Sequence, residues 1–210
     1  MVRSVVTPPF HIAIFCRPLI AGLVKTRLIP TYGAQGSARI YSQLVERTLR
    51  TVAATGATAS LWVAGDTEHV SVLDWAQRYS LPVHSQCEGD LGERMSQCLA
   101  MLAETHERVL LIGTDCPAFT VEDLQTAAAA LNKSCHWVFT PAEDGGYVLV
   151  GSNAPSAIPI ANIAWSTPEV MTQTRNALQA SALTWAETAT LWDVDEAVDV
   201  EHARNTGLID

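Results

Sequence analysis

Short apolar runs alternate with segments of helical periodicity along most of the chain. A run of apolar residues bounded by turn residues predicts a buried strand, whereas apolar residues spaced three or four apart predict an amphipathic helix. Predicted strands cover residues 10–16, 58–64, 81–85, 108–112, 136–140 and 147–151. Predicted helices cover residues 35–54, 67–79 and 121–131, and another begins near residue 90. Repeated strand–helix units of this length favour a largely parallel sheet covered by helices on both faces.

Polar residues with capping potential mark two of the helix starts. Asp90 precedes an apolar stripe and has Glu93 three positions later, which predicts a capping box. Farther along, Ser166 or Thr167 is the predicted cap of a helix with Pro168 in its first turn.

Composition narrows the possible partners. The 210 residues fit one medium domain, so we predict a single domain over residues 1–210. Hydrophobic residues make up 48% of the chain and charged residues 17%, which argues against disorder. The formal net charge of −9 argues against nonspecific nucleic-acid binding. A phosphate site would therefore have to be built locally from a few cations.

The cysteines and the apolar runs bear on the compartment. The five cysteines show neither C-x-x-C pairs nor zinc-binding spacing, so we expect free thiols in a reducing compartment. The first ten residues have no long apolar core of a secretory signal, and no run approaches the length of a membrane span. We predict a cytoplasmic protein with no membrane partner. The sequence does not predict its oligomeric state.

The most informative motif is Gly113-Thr114-Asp115-Cys116-Pro117, directly after the predicted strand over 108–112. It places a carboxylate at the carboxyl end of a strand, the edge where open α/β sheets bind ligands. Right-handed crossovers should place the loop after the first strand at the same edge. Cations in that loop and the carboxylate of Asp115 would together suit a phosphate and a divalent metal ion.

The loop after the first strand contains Gly22-Leu23-Val24-Lys25-Thr26-Arg27. It is not a Walker A motif, because Val24 stands where that motif requires glycine before the lysine. Gly22 would allow close approach of the backbone to a ligand, and Lys25 and Arg27 would supply cations. Their alternation suggests that only one of the two reaches a phosphate. The alternative is that both are solvated surface cations.

Acidic residues in the tail are candidate partners for Asp115. The tail pattern predicts a strand-like patch near residue 183, a strand over 191–194 and a short helix from about residue 196. If Asp193 and Asp195 lie on a strand, they share a face and could both reach Mg²⁺ or Mn²⁺. The alternative for Asp195 is a helix cap.

Two further motifs have both a chemical and a structural interpretation. Asp144-Gly145-Gly146 is typical of a hairpin turn, but Asp144 could also orient or deprotonate an acceptor. Trp165-Ser166-Thr167 could present an aromatic face to a sugar or base, or could simply precede a helix.

Several motifs in order resemble a bacterial glycosyltransferase-like family, formerly a domain of unknown function, that is associated with radical-SAM and selenium-related proteins and with arsenosugar biosynthesis. The resemblance covers nearly the whole chain. The matching residues are Phe15, Gly22, Val24 to Leu28, Pro30, Gly33, Gln86 to Met95, Ile112 to Pro117, Pro141 to Gly151, Trp165 to Thr167 and Asp193 to Asp195.

The resemblance implies a Rossmann-like GT-A fold of the nucleotide-diphospho-sugar transferase superfamily, related to guanylyltransferases that act on molybdenum cofactor and phospholactate. Carried over residue by residue, it implies that Lys25 and Arg27 contact the nucleotide phosphates, that Asp115 binds Mg²⁺ or Mn²⁺, and that Asp193 or Asp195 supplies the late acidic ligand. We therefore predict nucleotide binding by Gly22, Lys25, Arg27, Arg94 and Thr114, catalytic roles for Asp144 and Lys25, and metal ligands among Asp115, Asp193 and Asp195, with the choice between the two late aspartates open. The chain departs from the family at Arg17, where lysine is usual, and at Leu19 and Ala21, where prolines are common.

The predicted activity is metal-dependent transfer of a sugar from a nucleotide sugar to a small-molecule acceptor. One alternative is nucleotidyl transfer from an NTP with release of pyrophosphate. Another is a nucleotide-binding subunit without catalysis. The sequence does not separate glycosyl from nucleotidyl transfer, because both need the same cations.

Overall fold

A seven-stranded sheet forms the centre of the molecule in the computed structural model, which describes residues 9–153, 163–181 and 183–210. The strand order is β3-β2-β1-β4-β6-β5-β7. The strands are β1 (His11–Cys16), β2 (Thr58–Val63), β3 (Val83–Ser85), β4 (Val109–Ile112), β5 (Trp137–Pro141), β6 (Tyr147–Ser152) and β7 (Trp185–Glu187).

Six α-helices connect and flank these strands, and a 3₁₀ turn over Thr26–Leu28 precedes the first. The helices are α1 (Ile29–Ala54), α2 (Val70–Tyr79), α3 (Leu91–Ala103), α4 (Val121–Ala130), α5 (Val170–Ala180) and α6 (Ala197–Asn205). No helix in the described ranges is long and apolar enough to cross a membrane.

The sheet is largely parallel, as the strand–helix alternation predicts. β1 pairs in parallel with both β2 and β4, and β6 is the antiparallel strand between β4 and β5. In the β1–β4 pair, Ile14 lies opposite Ile112, so the loops after these two strands leave the sheet side by side. The predicted convergence of the basic loop and the Asp115 loop at one edge is therefore met.

Apolar side chains fill both faces of the sheet. One cluster joins the β-strands to α1, α2 and α4, and a second joins the opposite face to α3 and α5. Trp62, Trp137 and Phe139 are among the largest fully buried side chains. A third cluster packs Val200 of α6 and Val194 against α1, which anchors the tail on this helix.

Helix boundaries differ from the sequence predictions where local backbone geometry intervenes. α1 begins at Ile29 rather than residue 35, and Gly33, with φ 68° and ψ 167°, interrupts it near the predicted start. Asp90 and Glu93 form the predicted capping box of α3. The cap of α5 was wrongly placed: the helix begins after Glu169, whereas Ser166 adopts a left-handed φ of 63° in the preceding turn.

The tail contains a second difference. Residues 191–194 do not form a strand, although Leu191 makes an isolated bridge with Ala142. Asp193 and Asp195 therefore lie on a segment outside the sheet, which the backbone N–H of Val194 joins to the Asp115 loop. The cap of α6 is Glu196, with Asp199 accepting from its backbone N–H, so Asp195 is not the capping residue.

His11, at the opposite edge of the sheet, should make stability depend on pH. Its ring is hydrogen-bonded to Thr58 Oγ1 and Ser60 Oγ at 2.9 and 2.8 Å. Burial, with smaller contributions from His106 and His84, lowers the pKa of His11 to about 4. The unfolded chain should bind this proton near pH 6.5, so stability should fall as the pH drops from about 6.5 to about 4. Urea unfolding of the wild type and of His11→Gln across this range should show the slope reduced in the variant.

Candidate active site

A cavity of about 580 Å³ lies along the carboxyl ends of the strands. This is the size of a small-molecule site. It extends from Gln86, after β3, past Arg17, after β1, to the β5–β6 turn. Of the nine predicted site residues, seven line it and two, Gly22 and Lys25, do not. The seven are Arg27, Arg94, Thr114, Asp115, Asp144, Asp193 and Asp195.

Lys25 lies behind the cavity wall and binds the acidic residues. Its ammonium is 2.9 Å from Asp115 Oδ1 and 3.1 Å from Asp195 Oδ1, and it donates to the carbonyl oxygen of Val194 at 2.5 Å. Burial opposes the charge on Lys25, but the two carboxylates outweigh it and raise its pKa. Lys25 therefore joins the loop after β1, the loop after β4 and the tail.

Arg27 binds the other oxygen of the same aspartate, Asp195. The alternation expected of an extended loop is not present, because Lys25 is left-handed and Thr26–Leu28 form a 3₁₀ turn. The Arg27 side chain is 63% exposed and lines the cavity, and its guanidinium contacts Asp195 Oδ2 at 2.8 Å.

Gly22 has a φ of +89° and open space around its missing Cβ, so a glycine is needed for the backbone conformation of the turn and not for close packing. Thr114 is buried at the cavity wall beside the Tyr41 hydroxyl.

Backbone contacts fix the tail against the Asp115 loop. The backbone N–H of Val194 donates to the carbonyl of Asp115 at 2.9 Å. Asp199 accepts from the N–H groups of Asp195 and Glu196, which holds the start of α6 in line with this segment. Two stretches that lie far apart in sequence thus present their aspartates to one cavity.

Asp193 differs from Asp195 in its surroundings. Asp193 lines the cavity and makes no hydrogen bond or salt bridge to another described residue. Burial, followed by the negative charges of Asp195 and Asp144, raises the pKa of Asp193 to about 6. A carboxyl in this setting gains from an added cation, whereas Asp195 already has Lys25 and Arg27.

Two other arginines lie at the cavity without acidic partners. Within the described ranges, neither Arg17 nor Arg94 forms a salt bridge, although Arg94 Nε donates to the Gly89 carbonyl at 3.0 Å. Arg17 follows β1, and the Tyr41 hydroxyl accepts from its N–H and donates to its carbonyl. In sequence, Arg17 stands out only as a departure from the family. Its place directly after a buried strand was the signal for a cavity residue.

Residues 48–167 match the sequence model of a family described as "Uncharacterized protein conserved in bacteria (DUF2064)". The chain belongs to this family. The predicted family resemblance is thus confirmed, while its link to radical-SAM proteins and arsenosugar biosynthesis stays a prediction. No match was found among curated proteins.

Solved structures share the fold. A structure from Desulfovibrio desulfuricans G20, named "putative nucleotide-diphospho-sugar transferase", is 25% identical with a TM-score of 0.82, over 93% of this chain and 87% of that chain. A cytidylyltransferase from Leptospira borgpetersenii is 10% identical with a TM-score of 0.59, over 95% and 96%. Glucosyl-3-phosphoglycerate synthase from Mycobacterium tuberculosis, in complex with Mn²⁺, UDP and glucosyl-3-phosphoglycerate, is 9% identical with a TM-score of 0.53, over 95% and 77%.

These likenesses confirm the predicted fold class, an α/β fold of the nucleotide-diphospho-sugar transferase type. The structural relatives that are named as transferases agree with the predicted enzyme class. The two relatives below 25% identity are informative for the fold alone.

Trp165 and Tyr147 form an aromatic wall of the cavity. Their rings meet edge to face with centroids 6.3 Å apart. Trp165 packs so closely on the first turn of α3 that a Cβ at Gly92 would lie 2.8 Å from its Cζ2. A Cβ at Gly145 would lie 2.1 Å from the carbonyl oxygen of Pro168. Two glycines therefore allow residues 165–168 to pack against α3 and the β5–β6 turn, which no short-range pattern indicates.

Gly92→Ala should displace this aromatic wall. Alanine is ordinarily better than glycine in a helix, but here overpacking should dominate and cost about 1–3 kcal/mol of unfolding free energy. Chemical denaturation and tryptophan fluorescence would measure the loss of stability and the movement of Trp165. In a Trp165→Leu background the same change should cost much less, and an equal cost in both backgrounds would contradict the packing argument.

Proposed function

We propose that this protein is a metal-dependent glycosyltransferase that transfers a sugar from a nucleotide sugar to a small-molecule acceptor. The observation that carries the proposal is the meeting of Asp115 and Asp193 with Arg27 in one cavity at the carboxyl edge of the sheet. The likeness to a structure named as a nucleotide-diphospho-sugar transferase favours a nucleotide sugar as donor.

Two of the three aspartates fit as ligands of Mg²⁺ or Mn²⁺. Magnesium in nucleotide sites usually takes one or two carboxylates, several waters and phosphate oxygens. Asp193 has no hydrogen-bond or salt-bridge partner among the residues that the structure describes, and Asp115 uses one oxygen for Lys25 and is 46% exposed. Both oxygens of Asp195 are engaged, so we assign metal binding to Asp115 and Asp193. The Mn²⁺ and UDP bound to glucosyl-3-phosphoglycerate synthase support a divalent ion in this fold.

The bound ion would supply charge stabilisation to the leaving nucleoside diphosphate. Arg27 and Arg94 would bind and orient the phosphates, since both are cavity cations and arginine matches phosphate geometry. Asp144, in the turn after β5, would accept the proton of the acceptor hydroxyl. Trp165 and Tyr147 would exclude water and present aromatic surface to the transferred sugar or the acceptor.

Nucleotidyl transfer is the second candidate. It needs the same cations at the same edge of the sheet, and the fold is shared by a cytidylyltransferase over 96% of that relative. The two reactions break different bonds: glycosyl transfer releases a nucleoside diphosphate, and nucleotidyl transfer releases pyrophosphate.

A thermal-shift screen tests both candidates. UDP, GDP and CDP, their glucose or mannose derivatives, and the NTPs would be added with and without Mn²⁺. A ligand at a hundredfold excess over its Kd should stabilise by about 2.7 kcal/mol. For the stabilising ligand, product analysis with an acceptor panel should find the nucleoside diphosphate. Pyrophosphate would favour the second candidate, and unmoved melting curves with every nucleotide would contradict both.

A further inference from the structure

The ammonium group of Lys25 has no donor left for a substrate. An ammonium offers three N–H donors, and its three acceptors here are Val194 O, Asp115 Oδ1 and Asp195 Oδ1. The side chain is only 7% exposed. The backbone is held as well, because the carbonyl of Lys25 accepts from the N–H of Leu28 at 3.0 Å. Lys25 therefore does not fit the role of a phosphate ligand.

The same contacts reduce the net negative charge of the aspartates that a metal ion would meet. Lys25 lies between Asp115 and Asp195, and Arg27 occupies the other oxygen of Asp195. Within the described part of the chain, no group of three or more His, Cys, Asp or Glu side chains is placed to hold a metal ion. The acids are thus arranged around an amino group, and a divalent ion would meet both a positive charge and too few ligands.

We propose that Lys25 is an internal counter-cation that keeps divalent ions from binding tightly until the nucleotide phosphates arrive. The inference rests on the proposed function, because it takes a metal–diphosphate as the ligand. Phosphate oxygens add both the negative charge and the ligands that Asp115 and Asp193 alone do not provide. Lys25 then acts as a positioning residue that holds the spacing of Asp115 and Asp195.

A Mn²⁺ titration without nucleotide tests this directly. Electron paramagnetic resonance of free Mn²⁺ would give the affinities of wild type, Lys25→Gln and Arg27→Gln. Removing the buried charge should tighten Mn²⁺ binding about tenfold. Arg27 contacts the same Asp195 but is 63% exposed, so its replacement should change the affinity by less than about threefold. Mn²⁺ alone should raise the melting temperature of Lys25→Gln but not of the wild type.

The proposal would be overturned if Lys25→Gln bound Mn²⁺ with the same affinity as the wild type, or with a lower affinity. If Lys25→Gln is unfolded in buffer, Mn²⁺ should restore its native circular dichroism, and failure to do so counts equally against the proposal. These measurements contain no nucleotide. A failed nucleotide screen would therefore remove the proposed function while leaving the Mn²⁺ result interpretable.

Discussion

Asp115→Asn should lower turnover by about two to three orders of magnitude while leaving the fold intact. The asparagine carbonyl can still accept from Lys25, so the contact at 2.9 Å can persist while the negative charge is lost. Losing one charged group that stabilises the transition state typically costs a factor of about 10²–10³ in rate. Steady-state assays with the donor and acceptor found in the screen, together with circular dichroism, would measure both effects.

Asp74→Asn is the matched control. Asp74 is also a half-exposed aspartate in a salt bridge, to Arg78, but it lies on α2 away from the cavity. It should retain nearly full activity. Near-normal turnover in Asp115→Asn would refute the metal-binding role, and a lost fold in that variant would indicate a structural role instead.

The architecture was predictable because local pattern and topology act together. β4, and β1 apart from His11, are apolar because both of their faces are covered, and such runs are visible in sequence. Right-handed crossovers then bring the loops after these strands to one edge. The meeting of Lys25 with Asp115 follows from this topology. The assignment of residues 1–210 to one domain stays a prediction.

The contacts within the site were less predictable. Whether Lys25 or Arg27 faces the cavity depends on a left-handed residue at Lys25, with φ 46°, for which lysine carries no special signal. The different surroundings of Asp193 and Asp195 depend on a long-range backbone bond from Val194 to Asp115. These are properties of tertiary packing, and the spacing of two aspartates contains no information about them.

Asp144→Asn should lower the rate of transfer by about 10²–10⁴, the usual contribution of a general base. The turn should survive, because Asp144 Oδ1 accepts from the backbone N–H of Gly146 at 2.8 Å and an asparagine carbonyl can do the same. The change therefore removes proton acceptance without removing the local fold. The loss should fall on kcat, with little change in donor affinity, since Asp144 is assigned to the acceptor.

Asp66→Asn separates this chemistry from turn geometry. Asp66 Oδ1 accepts from the N–H of Glu68 at 2.9 Å, which is the same two-residue hydrogen bond, but Asp66 does not line the cavity. This control should keep its full rate and its melting temperature. If Asp144→Asn also kept its rate, the Asp144-Gly145-Gly146 segment would be a hairpin turn with no part in catalysis. A rate lost together with thermal stability in Asp144→Asn alone would instead assign Asp144 to holding the wall that Gly145 and Pro168 form.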